Sequence, residues 1–266
     1  MQRKLFFLYG VFAHLLFFAV FAYMAAFVGG FLVPKTIDTR TPDSTMQAIL
    51  IDLVLLGLFA VPHSVMARPA FKRIWTRIIP TSIERTTYVL IANLAMILLL
   101  WQWRSVDIIV WDLHQPVLRA AVWVVFGAGW LMVPLASLMI NHFDLFGTRQ
   151  VYLHLQGKEY ESLPFRTPNL YRQMRHPLYV GWMIAFWAAP TMTVGHMLFA
   201  AVLTVYMVIA TFVEERDLVN HFGQQYQQYQ RSVGRFIPRL AVPKANPTAS
   251  ANTPMTRRAE NEPNHA

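Results

Sequence analysis

The chain has 266 residues, 55% of them apolar and only 14% charged, and its apolar residues fall in long unbroken runs. Such runs, about 20 residues each, are what helices need to cross a bilayer, so a polytopic membrane protein is expected. The absence of cysteine excludes disulfides, thiolate-ligated zinc, iron–sulfur clusters and any relay of a group through an enzyme thiol. The formal charge of +9 is what basic residues flanking membrane helices produce, and no basic run carries the interleaved aromatics of a nucleic-acid surface.

The first run, Leu5 to Val33, follows Arg3 and Lys4. It is too long for a signal peptide and ends in Gly29, Gly30 and Pro34 rather than a small-residue cleavage site, so it reads as a retained anchor. Further runs occupy Met46 to Met66, Tyr88 to Trp103 and Ala121 to Ile140, then a shorter one, Leu178 to Pro190, and a last one, Gly195 to Val213. The short run reaches only about 20 Å as a helix, less than the ~30 Å hydrocarbon core. With the turn at residues 190–195 it is predicted to form a helical hairpin with the last run. The fold class is therefore all-α: a polytopic membrane helix bundle of five to six transmembrane helices. Residues 1–140 form a four-helix transmembrane region, and residues 141–240 carry the hairpin 178–213. Residues 241–266, rich in Pro, Asn, Thr and Ala, read as a disordered tail.

With the N-terminus inside, the connections on its side hold 19 of the 23 Lys and Arg residues, and the other side holds Lys35, Arg40, Arg104 and Arg119. Both termini are thus expected to be cytoplasmic. In that arrangement several polar groups fall at one depth, the inner boundary. His63 and Ser64 end the second span, His142 and Asp144 follow the fourth, Arg175 and His176 precede the hairpin, and Glu214 and Glu215 leave it. His14 and His196 fall at other depths. Asp52 lies inside the second span, with Asn93 or His14 as its expected partner.

Two stretches stand out. In Arg175-His176-Pro177-Leu178-Tyr179-Val180-Gly181, proline at a first helical position places arginine and histidine beside free amides that favour an anion; a capped helix start with an interfacial arginine explains the same residues. In Glu214-Glu215-Arg216-Asp217-Leu218, running on to Phe222, Gly223, Tyr226 and Tyr229, the residues Glu215, Leu218 and Phe222 recur at helical spacing. Adjacent carboxylates at a membrane boundary need a cation or water, and Arg175 or a positively charged ligand would serve; a solvated helix end is the plain alternative.

Together these stretches resemble the isoprenylcysteine carboxyl methyltransferase-like superfamily of membrane methyltransferases. Its pattern is Arg-His-Pro-x-Tyr, a membrane hairpin, Glu-Glu and a helix ending in Tyr-x-x-Tyr. Here these are Arg175-His176-Pro177-Leu178-Tyr179, Glu214-Glu215 and Tyr226-Gln227-Gln228-Tyr229. Over nearly the whole chain, segments such as Pro62-His63-Ser64-Val65-Met66-Ala67-Arg68-Pro69, Ile83-Glu84-Arg85-Thr86-Thr87-Tyr88 and His142-Phe143-Asp144-Leu145-Phe146-Gly147 are similar to the bacterial methanethiol S-methyltransferases. Membrane proteins of the NnrU type are more distant.

The resemblance implies a bacterial inner-membrane enzyme that uses S-adenosylmethionine, without a metal, to convert methanethiol to dimethyl sulfide. No nucleic acid and no obligate protein partner are implied beyond the lipid bilayer. It further implies that Tyr171, Arg175, His176, Pro177, Tyr179, Gly181, Glu214, Glu215, Leu218, Tyr226 and Tyr229 bind the cofactor. In that reading Glu214 or Glu215 attracts its positive parts, and Arg175 with the helix start holds its carboxylate. The acceptor thiol needs a base, with His142, oriented by Asp144, and His63 as the catalytic candidates. Open alternatives are another small or lipidic acceptor, an NADPH-dependent membrane reductase using the arginines at 68–77, and a non-catalytic NnrU-type protein.

Overall fold

A computed structural model describes residues 1–238; the expected tail, 241–266, lies outside the described residues. Helix α1 (Gln2–Gly29) is followed by α2 (Thr45–Met66), the short α3 (Pro69–Trp75), α4 (Thr81–Gln102), strand β1 (Ile109–Asp112) and α5 (Pro116–Ile140). Next come the short α6 (His142–Leu145) and α7 (Thr148–Leu155), then α8 (Pro177–Trp187), strand β2 (Thr191–Thr193), α9 (Val194–Phe222) and α10 (Gln224–Ser232). Among the described residues five helices, α1, α2, α4, α5 and α9, are long and apolar enough to cross a membrane. The expected all-α multi-pass bundle is what is observed.

The apolar runs became helices because nothing in them interrupts backbone hydrogen bonding, and their ends are marked by local chemistry. Ser44 and Gln47 form a reciprocal capping box at the start of α2. Gly30 adopts a left-handed conformation (φ +74°) that closes α1. Two helices outrun their apolar stretches. Helix α4 begins at Thr81, before Tyr88, and α9 continues to Phe222, past Val213. Both extensions are polar and lie at the end of the bundle that carries the N-terminus.

The bundle interior is apolar and aromatic: Phe27, Leu56, Leu99, Trp103 and Phe199 are fully or almost fully buried. Large apolar residues such as Leu53, Val54, Leu131, Leu138, Val205 and Ile209 are instead exposed along the outer helix faces. A soluble protein would hide so many, and a bilayer solvates them.

Helix α8 is the short member. It packs along α5, where a side chain on Gly129 would meet the backbone nitrogen of Ala185 at 2.6 Å and one on Gly181 would meet Val133 at 3.1 Å. Trp187 at its end donates to Thr204 of α9 at 2.9 Å. The chain then extends into β2, which pairs antiparallel with β1 at the far end of the bundle. The turn expected at 190–195 is therefore partly a strand, so the hairpin reaches the far side through a helix plus an extended segment. Residues Thr191-Met192-Thr193 suit a strand and find a free edge in Ile109-Val110-Trp111.

The partner of Asp52 departs from expectation. Asp52, fully buried, accepts the backbone N–H of Arg104 at 2.9 Å, while Asn93 donates to the carbonyl of Ala13 at 3.2 Å; Asp52 pairs with neither Asn93 nor His14. His196 donates to the carbonyl of Phe186 at 2.9 Å and so holds α8 to α9.

The α5–α8 contact leads to a first prediction. Gly129→Val should destabilise the folded protein by about 1–3 kcal/mol, read as a lower melting temperature in detergent, and Gly181→Ala should cost less, because its neighbours stand farther off.

Candidate active site

The extended polar end of α9 carries Glu214 and Glu215, and the two face different surroundings. Glu215 is 3% exposed. Its carboxylate accepts from Arg175 Nε at 2.8 Å and Nη2 at 3.3 Å, and from His176 Nε2 at 2.9 Å. Arg235 Nη2 at 2.7 Å and Nε at 3.2 Å, with Gln230 Nε2 at 3.1 Å, complete the set. Arg175 also donates through Nη1 to the carbonyls of Gln230 at 2.9 Å and Val233 at 2.5 Å. The backbone N–H groups of Arg175 and His176 bond to the carbonyls of Gly234 and Arg235 at 2.8 and 3.1 Å. The segment after α10 is thus laid over the start of α8 and tied to α9 through one carboxylate.

A buried carboxylate is tolerated only when paired and hydrogen-bonded, and Glu215 meets both conditions with groups of this chain. Of the two partners expected for the glutamate pair, Arg175 takes Glu215. Most of its donors are consumed in doing so. Sequence reasoning missed Arg235 and Gln230; the available signal was a basic residue shortly after the Tyr-x-x-Tyr helix. Arg235 also lies over the ring of Phe212, 3.8 Å from its centroid.

Glu214, half-buried, accepts a hydrogen bond from Tyr179 at 2.9 Å. Its charge acts on Tyr88 of α4, on Tyr206 earlier along α9, and on Tyr171 and Tyr226. Leu218, one turn on, is half-buried along the same helix. Tyr226 is almost wholly buried, and Tyr229 donates to the carbonyl of Tyr171 at 2.5 Å. Burial raises the hydroxyls of Tyr171, Tyr226 and Tyr229 above the ordinary phenol range, so all three stay neutral. Phe165, from the connection before α8, packs on Phe222, Tyr226 and Tyr229 with centroids 5.2–5.6 Å apart. Pro177 opens α8, and Gly181 belongs to its contact with α5.

The histidines divide. His63 meets the hydroxyl of Tyr88 at 3.0 Å, and Ser64 beside it donates to Tyr206 at 3.4 Å, so this pair shares neighbours with Glu214. His142 does not share them. Thr148 donates to the carbonyl of Phe143 at 3.1 Å, so its oxygen receives the Nδ1 proton of His14 at 3.2 Å. For neutral rings the remaining contacts then follow in one direction. His142 Nε2 donates to His14 Nε2 at 2.8 Å, and Ser137 donates to His142 Nδ1 at 2.7 Å. Both nitrogens of His142 are taken. Asp144 turns elsewhere, to Arg149 at 3.0 Å and Tyr160 at 3.2 Å, and does not orient His142.

His14 stands at the same level as His142, contrary to the sequence reading. The first half of α1 packs on α7, so closely that a side chain on Gly10 would meet Val151 at 2.4 Å. The signal was a lone histidine inside an apolar run.

Two outcomes follow. Glu215→Ala leaves Arg175, whose side chain is 9% exposed, without its carboxylate and should cost about 3–5 kcal/mol, seen as a collapse of the detergent melting temperature, whereas Glu214→Gln should fold normally. Burial holds His142 below the ordinary imidazole value, so as pH falls the unfolded chain takes up its proton first. Stability should be full above about pH 6.5 and decline below it. His142→Gln should lessen that decline in a melting-temperature titration.

Known proteins match this chain over most of its length. It is 49% identical over 238 residues to methanethiol S-methyltransferase of Mycobacterium tuberculosis, covering 90% of this chain and 98% of that protein. It is 50% identical over 232 residues to methanethiol S-methyltransferase 1 of Bradyrhizobium diazoefficiens, covering 87% and 81%. Nurim of Rattus norvegicus is 30% identical over 190 residues, covering 66% and 70%. No family model and no solved structure matches. With half its residues shared over nearly the full length of such relatives, the chain belongs to the methanethiol S-methyltransferase family.

Proposed function

We propose that this protein transfers a methyl group from S-adenosylmethionine directly to methanethiol, giving dimethyl sulfide, in a pocket at the basic end of the bundle. The observation that carries the reading is the split between the adjacent glutamates. Glu215 is saturated by this chain's own donors, whereas Glu214, among the described residues, has a single hydrogen-bond donor, Tyr179. A half-buried carboxylate beside an aromatic residue fits a cationic ligand, and the cofactor supplies a methyl group on a sulfonium.

In this reading Glu214, Tyr179 and Leu218 contact the cofactor. Arg175, His176, Glu215, Tyr171, Tyr226 and Tyr229 build the frame around it. Two arginines against one carboxylate leave that frame with an excess positive charge, which suits the cofactor's carboxylate even though Arg175 is largely engaged. In this reading His142 and Asp144, partnered by His14, Ser137, Arg149 and Tyr160, hold segments together and take no part in the chemistry. The Lys and Arg bias supports an inner membrane with both termini in the cytoplasm.

Methyl transfer from a sulfonium to a thiolate merges two opposite charges, so an apolar site lowers its barrier relative to water. A small apolar thiol also partitions into the bilayer around the site. Purified protein given S-adenosylmethionine and methanethiol should release dimethyl sulfide, measured by headspace gas chromatography. Glu214→Ala should reduce the rate by about 100-fold or more while the melting temperature holds. A stable variant with full activity would remove the reading.

A further inference from the structure

The reading above leaves the acceptor's proton unassigned, and the structure offers one unclaimed set of groups beside Glu214. His63 on α2 stacks on Phe59, with ring centroids 5.2 Å apart. The Tyr88 hydroxyl from α4 lies 3.0 Å from His63 Nε2 and 3.2 Å from Nδ1. Tyr206 on α9 closes the set, its ring edge-on to both Phe59 and His63 at 6.4 and 6.5 Å. Its oxygen takes the Ser64 proton at 3.4 Å, which leaves its own hydrogen free to donate. Three spans thus converge on a half-buried box with an aromatic wall and one proton acceptor. The charge of Glu214 reaches both Tyr88 and Tyr206. Other charged groups near the box are Arg85, 5.9 Å over the Tyr88 ring, and Arg68, held by Asp217 at 2.9 Å.

We propose that this box is the acceptor subsite, in which Tyr88 touches the thiol and His63 behind it receives the thiol's proton; this rests on the methyl-transfer reading. The requirement is chemical. An alkyl thiol ionises at or above about pH 8.5, and an apolar site makes its anion harder to form. A neutral imidazole linked through a hydroxyl removes the proton as the methyl group arrives, so no free thiolate accumulates.

The atoms balance. The S–H bond breaks and its proton joins the Tyr88 oxygen, while the former Tyr88 proton moves to a His63 nitrogen. The thiol sulfur bonds to the methyl carbon of the sulfonium donor. The old carbon–sulfur bond breaks, and its electron pair stays on the donor sulfur, which becomes a neutral thioether. His63 afterwards loses its extra proton to water. Phe59 and Tyr206 make the wall that selects a short apolar thiol over a charged one.

The test uses the full chain in detergent, with Tyr88→Phe and His63→Gln compared with the unaltered protein from about pH 6.5 to 9.5. At pH 7 each variant should lose about 100-fold or more in kcat/KM for methanethiol. That loss should shrink about tenfold per pH unit as thiolate forms in solution, while the Kd for S-adenosylmethionine, by calorimetry, stays within about threefold. Tyr88→Phe removes one oxygen and keeps the ring, so it reports even where His63→Gln folds poorly. A loss independent of pH, or an unchanged rate, in a Tyr88→Phe protein that still binds the cofactor would overturn the subsite with the methyl-transfer reading intact. Absence of dimethyl sulfide from the unaltered protein would instead remove that reading and the subsite with it.

Discussion

One buried carboxylate organises this protein's basic end. Left alone at that depth, Glu215 would cost several kcal/mol. The cost is met by Arg175 and His176 from before α8, by Gln230 within α10 and by Arg235 after it. These groups lie far apart in the sequence, so satisfying one charge fixes the relative placement of three chain segments. The consequence for function lies one residue away. Neighbouring positions on a helix differ by about 100° in direction, so with Glu215 anchored, Glu214 meets Tyr179 of α8 instead. In the proposed reading the anchor and the ligand group are adjacent because the first sets the direction of the second.

The setting makes chemical sense of a bundle whose outer faces are apolar. Helices solvated by lipid can leave a pocket dry without a lid, since the bilayer already excludes water from their flanks. Charge-merging methyl transfer gains from that dryness. The same dryness makes an unpaired ion costly, which is why so many polar groups at this end are spent on each other. The His14–His142–Ser137 chain and the Arg68–Asp217 pair are examples. Each binds helices together at a level where apolar packing alone has no preferred partner.

The spans were legible because length and hydropathy decide them, and the arginine–proline stretch and the twin glutamates were legible as stretches that the fold brings together. Which glutamate is engaged was not legible. Both carry the same charge in adjacent positions, and the difference arises from Gln230 of α10 and from Arg235, which folds back from beyond it. The misplacement of His14 has a similar origin. Helix α1 runs past the lipid core and packs on α7, and periodicity in a uniformly apolar run gives no sign of where the lipid stops. The strand β2 was missed because its partner, β1, sits in a loop far away in sequence. His63 was visible as a candidate, whereas Tyr88 and Tyr206 read as ordinary aromatic edges of apolar runs until three helices brought them together.

The division of labour between the glutamates is most directly tested by charge discrimination in binding. S-adenosylmethionine and S-adenosylhomocysteine differ by one methyl group and by the positive charge on sulfur. Calorimetry with both should show the unaltered protein favouring the sulfonium. In Glu214→Gln that preference should vanish while the affinity for the neutral product is kept. Equal weakening of both ligands, or an undiminished preference for the sulfonium, would contradict the assignment of Glu214 as the group that meets the cofactor's charge.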